Sequence, residues 1–110
     1  MISQINKEQI KNHIKRQFGL PEGQVEEMIP IFLATLAEHL ENLEQKVDSG
    51  NCLEIGAAAH TIKGALLNLG LSESAELALS IEQKGKSAES GADFHTIFDA
   101  LRSQLDEYLD

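Results

Sequence analysis

The chain has 110 residues, 42% of them hydrophobic, and a formal charge of −9 from 18 acidic and 9 basic side chains. That length supports one core and not two, so a single domain over 1–110 is expected. The acidity argues against a phosphate-facing nucleic-acid surface and against anionic membranes, and no run approaches the roughly eighteen consecutive apolar residues of a membrane span.

The opening MISQINKEQI has no basic segment followed by an apolar one, so no signal peptide is expected. The single cysteine, Cys52, cannot form an internal disulfide, which fits a reducing compartment. The expected location is the cytoplasm. No run alternates with period two for long enough to make a strand, and the residues favour helix throughout.

A first, accessory helix is predicted over about 7–18. Asn6 and Gln9 stand at capping-box spacing, Ile10 and Ile14 supply a narrow apolar edge that Ile2, Ile5 and Phe18 extend, and Gly19 with Pro21-Glu22-Gly23 ends it. A long second helix follows, with Val25, Met28, Ile29, Phe32, Leu33, Leu36, Leu40, Leu43 and Val47 at helical spacing up to about Asp48. Pro30 deletes a hydrogen bond inside it, so one helix with a kink is the expectation. Ser49-Gly50 closes it.

The third helix starts at Asn51, with Glu54 three residues on, and runs to Gly70. Ser72 is the expected N-cap of a fourth helix over about 73–86, with Ala75, Ala78, Leu79 and Ile81 as its apolar positions. Residues 85–91 read as a loop. A fifth helix begins near Ala92, with Ser90 and Asp93 at capping distance, and carries the stripe Phe94, Ile97, Phe98, Leu101, Leu105, Tyr108 and Leu109. Four long amphipathic helices with short connections predict an all-α, antiparallel up-down-up-down four-helix bundle over about 22–109, with one additional N-terminal helix.

The third helix separates into two unlike faces when plotted at about 100° per residue. Ile55, Ala58, Ile62, Ala65, Leu66 and Leu69 form an ordinary buried stripe. Leu53, Gly56, Ala57, His60, Lys63, Gly64 and Leu67 form the other face, which has no carboxylate in a chain rich in them. Its two glycines each cost about 1 kcal/mol against alanine in a helix interior. Such a face keeps the surface flat around one imidazole so that another protein can approach it. A lone histidine on a helix is usually a solvated or packed residue; its neighbours are what single out His60. His13, His39 and His95 have no such setting and are expected at the surface. Cys52 is expected to be a small packing residue, Lys84 and Lys86 a solvated helix end, Asn68 to turn away from His60, and Phe94 and Phe98 to be core.

The string AHTIKGALLNLG resembles the signature of histidine-containing phosphotransfer (HPt) domains: a histidine, Lys-Gly three and four residues on, and a glycine six residues after that. His60, Lys63, Gly64 and Gly70 occupy those places. Leu71 to Glu82, with the Ile81-Glu82 pair, is similar to the family's following helix, and Phe32, Leu33, Leu40 and Leu43 to the core positions of the preceding one. The likeness covers about residues 25–108.

The resemblance implies a phosphocarrier and not an enzyme with its own nucleotide or metal site. His60 would accept a phosphoryl group from a histidine kinase, a hybrid kinase or a receiver-domain aspartyl phosphate, and pass it to the aspartate of a response-regulator receiver. No cofactor of its own is implied; Mg²⁺ is expected on the receiver. An imidazole near its free pKa offers a neutral nucleophilic nitrogen at cellular pH. Lys63, at i+3, can offset phosphate charge, and Gly64, at i+4, leaves steric access. Gly56 and Ala57, with Leu53 and Leu67 as apolar brackets, are the expected partner-docking positions, and Lys63 supplies the sign that suits an acidic receiver pocket. A monomer is expected.

Enzyme and metal alternatives lack their residues. Glu-x-x-His on two helices is absent, there is no Gly-rich phosphate loop, and no Cys/His cluster suits zinc. The alternative function is an interaction-only bundle that binds and inhibits a histidine kinase or receiver without phosphotransfer.

Overall fold

A computed structural model describes residues 4–87 and 93–109. The expected cap at Ser90, the expected helix start at Ala92 and the edge residue Ile2 lie outside them. Five helices make up the described chain: α1 (Gln4–Phe18), α2 (Glu22–Ser49), α3 (Cys52–Asn68), α4 (Ser72–Lys86) and α5 (Phe94–Leu109). There is no strand among the described residues.

Neighbouring helices close a ring. α3 packs on α2 and α4, α5 packs on α4 and α2, and α1 lies against α2. Cross-contacts run in opposite chain directions, Gly56 against Gly85 and His60 against Glu82, Asp48 against His95 and Glu44 against Arg102, as the antiparallel bundle requires. The core is one apolar cluster: Val25, Ile29, Leu36, Leu40, Leu43 and Val47 of α2 meet Ile55, Ile62 and Leu66 of α3, Ala78 and Ile81 of α4, and Phe98, Leu101 and Leu105 of α5. α1 adds Ile10 and Ile14, both fully buried, and Lys11 ties it to the start of α2 through Glu22 at 2.8 Å and Glu26 at 3.0 Å.

α2 is a single unbroken helix with Pro30 inside it. Pro30 and Glu26 are both exposed, so the carbonyl that the proline leaves unpaired one turn back can turn to water. α3 begins where its cap predicts: the Asn51 side chain accepts the Glu54 amide at 3.1 Å. It ends at Gly70, whose φ of +76° lets the Leu71 amide reach the Leu66 carbonyl at 2.9 Å and the Gly70 amide reach that of Leu67 at 3.1 Å, a Schellman ending.

Several expectations change. α1 starts before Asn6, which lies inside the helix instead of capping it. Ser72 is the first residue of α4, with no side-chain cap, and Leu71 precedes it. Leu79 is exposed, while Ser74, Glu82 and Gly85 join the buried stripe of α4. Gly85 is therefore helical, not the start of a loop. Asp93 caps α5, accepting the Thr96 amide at 3.1 Å.

Candidate functional site

α3 buries one side against the bundle and leaves the other to solvent. Ile55, Gly56, Ala58, Ala59, Ile62 and Leu66 are buried. Leu53, Ala57, His60, Gly64 and Leu67 are exposed and follow one another at three- and four-residue steps, which places them in one line along the helix. Leu53 is 67% and Leu67 49% exposed, an uncommon state for two leucines on the same ridge as a histidine. The His60 side chain is 63% exposed, and a methyl group built at Gly64 meets nothing within 4 Å.

Gly56 is not on this ridge. It is buried, and a Cβ there would sit 3.2 Å from the Lys86 amide nitrogen and 3.4 Å from the Glu82 carbonyl oxygen. The expectation that Gly56 helps dock a partner is therefore corrected: it packs on α4. Its counterpart is Gly85, where a Cβ would fall 2.7 Å from the Cys52 carbonyl oxygen and from the Gly56 nitrogen. Two facing glycines let the α3 and α4 backbones approach closely. One helical turn along from that crossing, in opposite directions, lie His60 and Glu82.

Glu82 is the centre of the site. It is 4% exposed, and both of its oxygens are engaged. Lys63 Nζ donates to Oε1 at 2.7 Å. His60 Nδ1 is 2.8 Å and Lys86 Nζ 2.7 Å from Oε2. A buried carboxylate without partners would take up a proton. Here the Lys63 hydrogen bond, then that of Lys86, outweigh burial, with a smaller contribution from His60, and hold the carboxyl down at about 2. Glu82 is therefore an anion at neutral pH, and an ionised carboxylate only accepts. The proton of the contact must come from the imidazole, so Nδ1 carries hydrogen. In the neutral ring that leaves the lone pair on Nε2.

The other singled-out residues divide. Lys63 is only partly accessible, with a side chain 22% exposed, and is committed to Glu82; the sequence reading had it free for phosphate. Lys86 belongs to the site and is not simply a solvated helix end. His13 is half-buried, its Nε2 donating to the Leu67 carbonyl at 3.1 Å, and Asn68 accepts from Gln17 at 3.4 Å, so α1 flanks the C-terminal end of the ridge. His95 pairs with Asp48 at 3.2 Å on the far side, and His39 is half-buried on α2. Cys52 is half-buried in the first turn of α3, and Phe98 is core.

Sequence reasoning noted Glu82 but gave it no role, and missed Gly85. The signal was present: Ser74, Ala75, Ala78, Ile81, Glu82 and Gly85 are one helical stripe, and a glutamate in such a stripe needs a cationic partner from a neighbouring helix.

Among the described residues no group of three or more His, Cys, Asp or Glu side chains is arranged to hold a metal ion, and no helix is long and apolar enough to cross a membrane. A family model described as Hpt domain matches residues 27–110. Neither the curated proteins nor the solved structures contain a match to the chain.

Proposed function

From the chain's membership of the Hpt domain family, which implies a role in phosphorelays, we propose a specific one: a phosphocarrier whose acceptor is Nε2 of His60. The observation that carries the reading is the exposed imidazole held through Nδ1 by an ionised, buried Glu82. That contact orients the ring, selects the tautomer with the nucleophilic nitrogen outward, and compensates the charge that develops on the ring during attack.

The step runs as follows. The Nε2 lone pair attacks the phosphorus of an aspartyl phosphate in line. The bond from phosphorus to the aspartate oxygen breaks, and its electron pair leaves on the carboxylate. Nδ1 keeps its hydrogen throughout, so the phosphorylated ring is cationic and Glu82 faces that charge. Delivery to the next receiver is the reverse: the aspartate oxygen attacks, and neutral imidazole leaves with the pair on Nε2. Because the ring never sheds its Nδ1 proton, neither direction needs a separate general base. Leu53, Ala57 and Leu67 make the apolar rim that meets the receiver, Gly64 leaves room for the phosphoryl group, and the divalent cation that this chemistry uses is placed on the receiver. The carrier works as a monomer in the cytoplasm.

The test mixes the protein with a phosphorylated receiver domain and follows label onto the chain. An acid-labile, base-stable label that disappears in His60→Gln is expected. Binding to the receiver or to a histidine kinase without any label would replace this reading with the inhibitory, interaction-only one.

A further inference from the structure

We infer that Lys86, a residue of α4 and not of the histidine's own helix, is the cation that contacts the phosphoryl group on His60, waiting on Glu82 while the site is empty. The inference rests on the phosphocarrier reading and assigns a second residue to the same site.

Two lysines reach Glu82, and their settings differ. Lys63 is held on Oε1 with 22% of its side chain exposed, and it is the main partner of a buried carboxylate. Moving it would strand that charge. Lys86 reaches Oε2 from the solvent side, with 63% of its side chain exposed. It shares that oxygen with His60 Nδ1, so the ammonium lies within about 5.5 Å of the ring nitrogen, the sum of the 2.8 and 2.7 Å contacts. A lysine side chain is flexible and solvated. A short swing about its outer torsions takes it off Glu82, which still keeps the hydrogen bonds of Lys63 and His60.

The charges give the direction. With a neutral imidazole, Glu82, Lys63 and Lys86 together carry +1. A phosphoryl group on Nε2 brings roughly two negative charges, and the ring, which keeps its Nδ1 hydrogen, becomes positive, so the cluster falls to about 0. Without Lys86 it would stand near −1, with only a lysine already bound to a carboxylate to face the new anion. The groups acting on Glu82 are Lys63 and His60 from α3 and Lys86 from α4 itself, so Lys86 is the one cation of the cluster that can change partners without uncovering a buried charge.

The experiment labels His60 with phosphoramidate, a small donor from which Nε2 displaces ammonia as the phosphorus–nitrogen bond breaks, so no receiver need dock. The ³¹P resonance of the phosphohistidine is then followed against pH in the wild type, Lys86→Gln and Lys86→Arg. Loss of the ammonium should move the phosphoryl ionisation to higher pH by about half a unit or more, and arginine should restore the wild-type curve. Coincident curves for the wild type and Lys86→Gln would overturn the assignment. Because Glu82 keeps the hydrogen bonds of Lys63 and His60, the Lys86 variant should lose less thermal stability than one at Lys63. Lys63→Gln is the contrast, with its main effect on thermal stability. A wild-type chain that exchanges phosphoryl with receivers while the curves coincide removes the role of Lys86 alone. One that takes phosphoryl from phosphoramidate but exchanges with no receiver removes the carrier reading, and a shifted curve still supports the Lys86 contact.

Discussion

Gly64→Ala separates folding from the proposed phosphoryl transfer. The added methyl meets no atom within 4 Å, and the position has an ordinary helical backbone. The fold should therefore gain the difference between glycine and alanine in a helix interior, about 1 kcal/mol, partly through the less flexible unfolded chain. For a chain of 110 residues that raises the midpoint of thermal unfolding by about 4 °C. The same methyl projects from the ridge one turn beyond His60, where a receiver closes on the phosphoryl group in the proposed phosphocarrier. Overpacking a fitted contact costs about 1–3 kcal/mol, which predicts transfer slower by about 5- to 150-fold. Melting by circular dichroism and time-resolved transfer from a phosphorylated receiver measure the two effects on one sample. A more stable variant that transfers within twofold of the wild type would refute the access role of Gly64. A destabilised variant would refute the open space around it.

Gly85→Ala should do the opposite, because its Cβ would lie 2.7 Å from backbone atoms of Cys52 and Gly56; a loss of about 1–3 kcal/mol in urea unfolding is expected, and unchanged stability would mean that the two helices are not in contact there. Glu82→Gln tests the buried carboxylate. Its folded pKa of about 2 lies below the ordinary 4.5, so its contribution of about 3 kcal/mol is complete above pH 4.5 and is lost as pH falls toward 2. The variant should be less stable at pH 7 and should show a flatter decline between pH 5 and 2; parallel stability curves would contradict the charge assignment. Gly70→Ala combines a φ of +76° with a Cβ 2.6 Å from the His13 ring. A loss of about 1–3 kcal/mol is expected, and in the double variant His13→Ala should recover part of it; strict additivity would show that the ring is not what the methyl strikes.

The helices were legible because apolar spacing reports the buried face directly. Val25 through Val47 and Phe94 through Leu109 gave α2 and α5, and the Asn51–Glu54 pair placed the start of α3 within a residue. His60, Lys63 and Gly64 stood out because their helix face lacked acids. What failed was the assignment of residues at the margins of that face. Gly56 shares a side of the helical plot with His60, yet α4 covers it. Gly85 sits in a stretch whose composition suggests a loop, yet its close approach to Gly56 keeps it in the helix. Tertiary contact outweighs a local preference of about 1 kcal/mol.

Taken alone, the order of residues determined an all-helical chain, a bundle of four staves with an accessory helix, and which imidazole stands apart. These follow from periodicity and caps, which are local properties. Only the packed structure decided that the imidazole is anchored by a glutamate 22 residues away and that two lysines from different helices neutralise that glutamate. The crossing of Gly56 and Gly85 sets that arrangement. A one-dimensional pattern reports which side of a helix is apolar; which neighbour lies across a seam, and at what height, depends on how closely two backbones approach.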